Sequence, residues 1–323
     1  MRALICEEYS GIESLRVGEL AEPVPTPGSA LIQVEAAAVN FADSLLVAGQ
    51  YQMKPDLPFA PGSEAAGRVV DTGGIPGLEE GDRVAGFTGF GAMAELALIP
   101  EHGLVRLEDA TSFDEGAAIP VAYGTSYHAL VDRGEVKEGE TLLVLGAAGG
   151  VGLAAVQIGK KLKAHVIATV SSDEKADVAR GGGADEVIRY DEIDLRKGIE
   201  EATNGSGVDV VFDPVGGEAT EAALRATRWG GRLLVIGFAS GTIPSIPLNL
   251  TLVKGNSIVG VFWGRHFMED PQAEAENLAT IMDWVREGSL RPHVQRSFDL
   301  EQGADALRWV AERNAIGRVI INP

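Results

Sequence analysis

Residues 141–152 read TLLVLGAAGGVG, and the reading of this stretch decides how the rest of the chain is organised. Leu142, Leu143, Val144 and Leu145 form an unbroken apolar run, the pattern of a strand buried on both faces of a parallel sheet. A glycine cluster follows. Then LAAVQIGKKLKA carries helical spacing and ends in Lys160, Lys161 and Lys163, cations suited to the negative end of a helix dipole. Strand, glycine turn and helix form the setting of a dinucleotide fingerprint: small residues let the backbone approach a pyrophosphate, and free N–H groups at the helix start meet its charge. The strict G-x-G-x-x-G pattern falls on Ala147, Gly149 and Gly152, so its first position is alanine. The turn residues Ala148, Gly149, Gly150 and Val151 are therefore candidate cofactor contacts. The bland alternative is a tight turn with no ligand, which the flanking strand and helix argue against.

The next strand, HVIATV at 165–170, bears on which nucleotide is bound. A domain selective for NADH places an acid near the end of this strand to hold the ribose 2′-hydroxyl. Here Ser171 and Ser172 follow, then Asp173, Glu174 and Lys175. Hydroxyls with an ammonium one helical turn on suit a 2′-phosphate, so NADPH is favoured. Helix initiation explains the two acids, with Ser172 as N-cap, but leaves Lys175 without a role.

The alternation continues: strand at 186–189, helix at 195–202, strand at 208–212 running into Asp213-Pro214-Val215-Gly216-Gly217, helix at 218–228, strand at 231–237 and a last strand at 257–262. Such a run predicts an α/β domain with a doubly wound parallel sheet. Ligands in these sheets lie outside the carboxyl ends of the strands. That makes Val215, Gly216, Phe238, Ala239, Ser240, Phe262 and Trp263 further candidate cofactor contacts.

Residues 1–120 have a different texture. Strand-like runs (ALICEEY, SALIQVEAAAV, GRVVDTG, DRVAGF, MAELALIP) are broken by Pro and Gly clusters, which predicts a compact β-barrel-like domain. Asn40 stands where a strand gives way to a helix; it serves as an N-cap or, alternatively, donates its amide to a substrate oxygen. Beyond the α/β domain, helices are expected over 270–287 and 300–313, with a closing strand at 317–321 that needs a sheet to join.

Composition removes several function classes. A formal net charge of -20, with no basic block, repels nucleic acid, whereas an anionic cofactor can be met locally by amides and one or two cations. No stretch approaches the length of a membrane span, and the opening residues lack a signal-peptide layout, so the expected location is cytoplasmic. With Cys6 as the single cysteine, intrachain disulfides and a thiolate-rich zinc site are excluded, and no metal is expected.

The motifs VNFADSLLVAGQY, FAPGSEAAGRV, EGDRVAG, YGTSYHAL, GAAGGVGLAAVQIGK, VSSDEKADVARGGGADEVIRY, FDPVGG and AERNAIGRVIINP occur in that order along the whole chain. Together they resemble the medium-chain dehydrogenase/reductase superfamily, in its zinc-free, zeta-crystallin-like quinone oxidoreductase branch. The resemblance implies a Rossmann domain over 123–264, a GroES-like β-barrel domain over 1–122 that carries the substrate site, and a return segment over 265–323. It also implies a cleft in which nicotinamide meets substrate. Zinc-containing relatives carry Cys and His where this chain has Asn40 and Ser63. By position, Ser171, Lys175 and Tyr190 match the family's 2′-phosphate grip, Thr125 a residue beside the nicotinamide, and Asn40, Asp43 and Tyr51 the lining of the substrate cleft. Plain alternatives remain: Tyr190 as a surface-packed aromatic, Thr125 as a helix cap. Leu45 stands where some members carry Tyr, making the pocket more apolar. A homodimer is implied by the resemblance and permitted by the apolar edge strand at 257–262.

These readings converge on hydride transfer from NADPH to a quinone or other conjugated carbonyl, a small-molecule electrophile. Asn40 and Tyr51 would meet the negative charge that develops on oxygen. His128, on the helix entering the Rossmann domain, reads as a packing residue. Two alternatives stay open: an enoyl-thioester or 2-alkenal reductase on the same fold, and an NADPH-binding structural or regulatory protein with little turnover.

Overall fold

The computed structural model describes residues 1–323, which divide into two units. One comprises Met1–Val121, Phe267–Asp283 and Arg291–Pro323; the other comprises Ala122–His266 and Trp284–Leu290. In the first unit the Pro- and Gly-punctuated runs become β1 (Arg2–Ile5), β2 (Arg16–Glu19), β3 (Ser29–Val39), α1 (Phe41–Val47), β4 (Glu64–Asp71), β5 (Arg83–Phe87), β6 (Leu96–Pro100), β7 (Leu104–Arg106) and α2 (Phe113–Ala117). The eleven-residue β3 is the organiser, pairing antiparallel with both β4 and β6. Its residues Ala30, Ile32, Val34, Ala37 and Val39 lie in one apolar core with Val47, Phe59, Val84, Met93 and Ile99.

The second unit opens with α3 (Pro120–Tyr127, beginning in the first unit), continued by a π-helical segment over His128–Arg133. It proceeds through β8 (Thr141–Val144), α4 (Gly150–Lys161), β9 (His165–Val170), α5 (Asp173–Gly181), β10 (Glu186–Arg189), α6 (Leu195–Ala202), β11 (Val208–Asp213), α7 (Gly217–Arg225), β12 (Thr227–Val235), α8 (Asn249–Lys254) and β13 (Ser257–Gly260). All six strands are parallel, in the order β10-β9-β8-β11-β12-β13. The strand order therefore reverses between β8 and β11, and ligands of such sheets bind beyond the carboxyl ends of the strands at that point. Leu142, Leu143 and Val144 are fully buried, as is the whole of β11, because helices cover both faces.

The chain then forms α9 (Trp263–Glu269), α10 (Pro271–Arg286), β14 (Val294–Asp299), a 3-10 turn over Leu300–Gln302, α11 (Gly303–Ala311) and β15 (Arg318–Asn322). The closing strand joins the first unit: β15 lies antiparallel to β3, with Val319 opposite Val39, and parallel to β14. No helix is long and apolar enough to cross a membrane.

Some expected boundaries move. The helix expected over 218–228 stops at Arg225, because Thr227 already pairs with Val208 and β12 runs to Val235 through a register shift. The expected helix over 300–313 starts with a 3-10 turn and ends at Ala311. Strand β14 and helix α8 had no clear periodicity to announce them.

Candidate active site

The glycine turn is shaped by one close approach. Gly146 sits at φ 60°, a left-handed conformation that glycine adopts without strain. Its carbonyl oxygen lies so near Gly152 that a Cβ there would stand 2.2 Å from it. Only hydrogen fits at 152, and this lets the turn lie against the first turn of α4. Gly149, the N-cap, has no side chain to cap the helix, so the first N–H groups of α4, from Gly150 and Val151 onward, face outward as donors. The Val151 carbonyl accepts from Ser126 Oγ at 2.8 Å, which ties α3 to α4. Ala148 is buried under the turn. Free amides at the positive end of a helix dipole, with no capping side chain over them, are chemically suited to a pyrophosphate.

At the carboxyl end of β9, Lys175 Nζ stands 3.5 Å from Ser171 Oγ. Ser172 is the N-cap of α5, accepting from Lys175 N at 3.3 Å. Ser172 is thus engaged by the start of the helix, while the Ser171 hydroxyl faces the Lys175 ammonium. A cation not singled out by sequence, Arg189 at the end of β10, pairs with Asp173, Asp191 and Glu192. It engages Asp173, one of the two acids in the first turn of α5. The hydrogen bonds it donates to Asp191 hold its guanidinium well above the usual arginine range. Tyr190, directly after β10, is exposed.

The opposite side of the switch point offers fewer donors. Asp213 Oδ1 accepts from both Val215 N and Gly216 N at 2.9 Å, and Asp213 Oδ2 accepts from Thr220 Oγ1 at 2.6 Å. Ala239 N donates to Pro214 O and Ser240 N to Val215 O. The amides of Val215, Gly216, Ala239 and Ser240 are thus spent within the protein, so these residues would touch a cofactor by surface rather than by a backbone N–H, as Phe238 would by its ring. Phe262 is half exposed. Trp263 is buried, its indole lying where any Cβ on Gly124 would have to go. Thr125 is half-buried in the middle of α3, so the helix-cap alternative fails: the helix begins five residues earlier.

In the first unit, Asn40, Glu64 and Arg318 form one buried network. Arg318 donates to Asn40 Oδ1 at 3.0 Å and forms an ion pair with Glu64. Asn40 Nδ2 donates to Glu64 Oε1 at 2.9 Å and to Ser63 Oγ at 3.3 Å. Glu64 Oε2 accepts from Val121 N at 2.7 Å. A guanidinium only donates and a carboxylate accepts, so the orientation of the Asn40 amide follows from chemistry. Both of its Nδ2 hydrogens already have partners. Burial pushes the Glu64 carboxyl up, with the Arg318 charge opposing.

Asp43 is fully buried, accepting from Asn40 N at 2.7 Å as the first turn of α1 closes. Burial, with a backbone hydrogen bond opposing it, pushes its carboxyl up to about 7. Tyr51 is half-buried on the core, and burial followed by the Asp43 charge raises its hydroxyl above the ordinary tyrosine value. Leu45 is partly exposed on α1.

A zinc ion does not fit the Asn40 corner. Its donor set is an amide, a hydroxyl and a carboxylate already held by a guanidinium, whereas zinc takes thiolate, imidazole or unencumbered carboxylate. Cys6 is buried, its thiol pushed up by burial and donating to Glu8 O. In the second unit His128, read as a packing residue, is buried with Nδ1 2.8 Å from Asp132 Oδ2, and its ring stacks on His266 at 4.1 Å and 12°. Rings this parallel cannot both aim an in-plane lone pair at one ion.

Two family descriptions match the chain: "Alcohol dehydrogenase GroES-like domain" over residues 26–109 and "Zinc-binding dehydrogenase" over residues 150–283. The "Quinone oxidoreductase-like protein 2" of Bos taurus is 38% identical over 323 residues, covering 99% of this chain and 92% of that protein. The Homo sapiens "Quinone oxidoreductase" is 34% identical over 325 residues, covering 99% and 97%. Among solved structures, Escherichia coli quinone oxidoreductase complexed with NADPH superposes with a TM-score of 0.91 at 28% identity, covering 100% of both chains.

Proposed function

The chain belongs to the medium-chain dehydrogenase/reductase superfamily, in its quinone oxidoreductase branch, and on that premise we propose that it reduces quinones or other conjugated carbonyls with NADPH. It is an oxidoreductase, and NADPH, when bound, supplies the hydride. The observation that carries the choice of nucleotide is the Ser171 hydroxyl 3.5 Å from the Lys175 ammonium at the end of β9, a pair suited to a 2′-phosphate. The amides opening α4 would hold the pyrophosphate, with Thr125, Phe238 and Trp263 bounding the nicotinamide end.

Without an ion to polarise the acceptor, hydrogen-bond donors must meet the charge that develops on its oxygen. Tyr51 supplies one such donor, and its raised hydroxyl stays protonated at neutral pH. Asn40 belongs to the same corner, although its amide hydrogens are committed to Glu64 and Ser63. An acceptor activated by conjugation suits such a site, since its carbon needs less polarisation than that of a simple ketone. The reading extends to a cytoplasmic setting and to a homodimer. The dimer is supported by edge strand β13 and the exposed apolar side chains Trp229, Leu252 and Ile258 nearby in sequence or sheet order.

The test is oxidation of NADPH and of NADH against menadione, crotonaldehyde and crotonyl-CoA. The expected result is turnover with menadione and preference for NADPH. Dominant crotonaldehyde or crotonyl-CoA reduction would move the substrate to the alkenal or enoyl-thioester class. Tight NADPH binding with no turnover on any of the three would overturn the reading.

A further inference from the structure

Resting on that reading, we propose that Ser63 is the hydroxyl that donates to the acceptor's oxygen, polarised by Arg318 through the Asn40 amide. The chain of hydrogen bonds runs in one direction. Arg318 donates to Asn40 Oδ1 at 3.0 Å, and Asn40 Nδ2 donates to Ser63 Oγ at 3.3 Å. An amide nitrogen has no lone pair to offer, so Ser63 Oγ must be the acceptor in that contact and its own proton points elsewhere. Ser63 is the partly exposed member of the group, while Asn40, Glu64 and Arg318 are buried. The far end of the chain is therefore the one that a small molecule can reach. Each bond polarises the next in a low-dielectric setting, which makes the terminal O–H a stronger donor than an isolated serine.

Glu64 has the complementary task. It neutralises the buried guanidinium and accepts the second Asn40 hydrogen, so the amide cannot turn over and send its oxygen toward Ser63. Arg318 and Asn40 are thus positioning residues, and Ser63 is the group that touches substrate. NADPH, when bound, would supply a hydride to the conjugated carbon and become NADP⁺. The alkene π pair would form the new double bond to the carbonyl carbon, and the carbonyl π pair would move onto oxygen, which would accept the Ser63 hydrogen bond and then a proton from water.

The experiment compares the whole protein with Ser63→Ala and Ser63→Thr, measuring kcat and KM for menadione at saturating NADPH, the NADPH Kd and the thermal midpoint. Ser63→Ala is expected to lower kcat on the order of 10²-fold, with the NADPH Kd and midpoint at wild-type values. Ser63→Thr, which keeps the hydroxyl, is expected to recover kcat to within about fivefold of wild type. Adding Asn40→Leu to Ser63→Ala should lower kcat no further, because the two act as one unit. A Ser63→Ala kcat within about twofold of wild type overturns this role while leaving the reductase reading intact. A wild-type protein that turns over none of the three acceptors removes the reductase reading, and this role with it.

Discussion

The glycine turn makes a prediction in which two neighbouring substitutions must separate fold from ligand. At Gly152 a Cβ would stand 2.2 Å from the Gly146 carbonyl oxygen, 2.9 Å from its carbon and 3.0 Å from Ala147 Cα. All three are backbone atoms, so no side chain can swing aside and the turn itself must retreat. Overpacking of this kind costs about 1–3 kcal/mol, which lowers the thermal midpoint by roughly 2–4 °C per kcal/mol for a chain of this size or somewhat smaller. At Gly149 the nearest atom to an added Cβ is the same oxygen at 3.4 Å, an ordinary contact, and the backbone at φ -80° and ψ 172° accepts alanine. Losing glycine's advantage at the N-cap costs roughly 1 kcal/mol. The stiffer unfolded chain offsets about 0.4–1 kcal/mol of that. Gly149→Ala should therefore leave the midpoint within about 3 °C of wild type. Its methyl group would nevertheless occupy the approach to the α4 amides, and the NADPH Kd should rise by at least about tenfold, or 1.4 kcal/mol. Calorimetric unfolding and titration of nucleotide fluorescence read the two effects separately. A Gly149→Ala protein that binds NADPH with the wild-type Kd would refute the placement of the pyrophosphate at this turn.

Lys175→Ala should raise the NADPH Kd by about tenfold while leaving the NADH Kd near wild type, as loss of one charge-assisted contact to a 2′-phosphate requires; equal losses for both nucleotides would speak against that contact. Burial holds the Asp43 carboxyl up at about 7, so between the unfolded value of 3.8 and that value the folded chain keeps a proton that the unfolded chain releases. Its stabilising contribution is full below about pH 4 and lost as pH rises through about 7. Asp43→Asn should accordingly fall further behind wild type at pH 5 than at pH 8 in urea unfolding, and an equal deficit at both would refute the buried proton. Ile258→Lys, on the exposed edge of β13, should yield a monomer in sedimentation where the wild type sediments as a dimer; a monomeric wild type would end the dimer proposal.

The second unit was legible because its signals are local. Leu142–Leu145, the glycines at 149–152 and the lysines at 160–163 lie within one strand–turn–helix, where periodicity and caps speak for themselves. The strands at 165–170 and 186–189 match the sequence expectation. The helix expected to run to 228 ends at Arg225: glutamate, alanine and arginine favour helix locally, but Thr227 is claimed by its pairing with Val208. The pairing of Arg189 with Asp173 leaves no local signal, because Asp173 lies sixteen residues away, just beyond the end of the neighbouring strand.

From the order of residues alone came the doubly wound sheet, the fingerprint turn, the preference for a phosphorylated nucleotide and the lack of thiolate for zinc. All of these depend on neighbours in the chain or on counts. Only the tertiary structure decided what Asn40 does. Its amide is held by Glu64, 24 residues on, and by Arg318, 278 residues on, and it hands its second hydrogen to Ser63. A buried polar group takes whatever partner the fold brings within reach, and no local pattern announces a partner carried in by the closing strand.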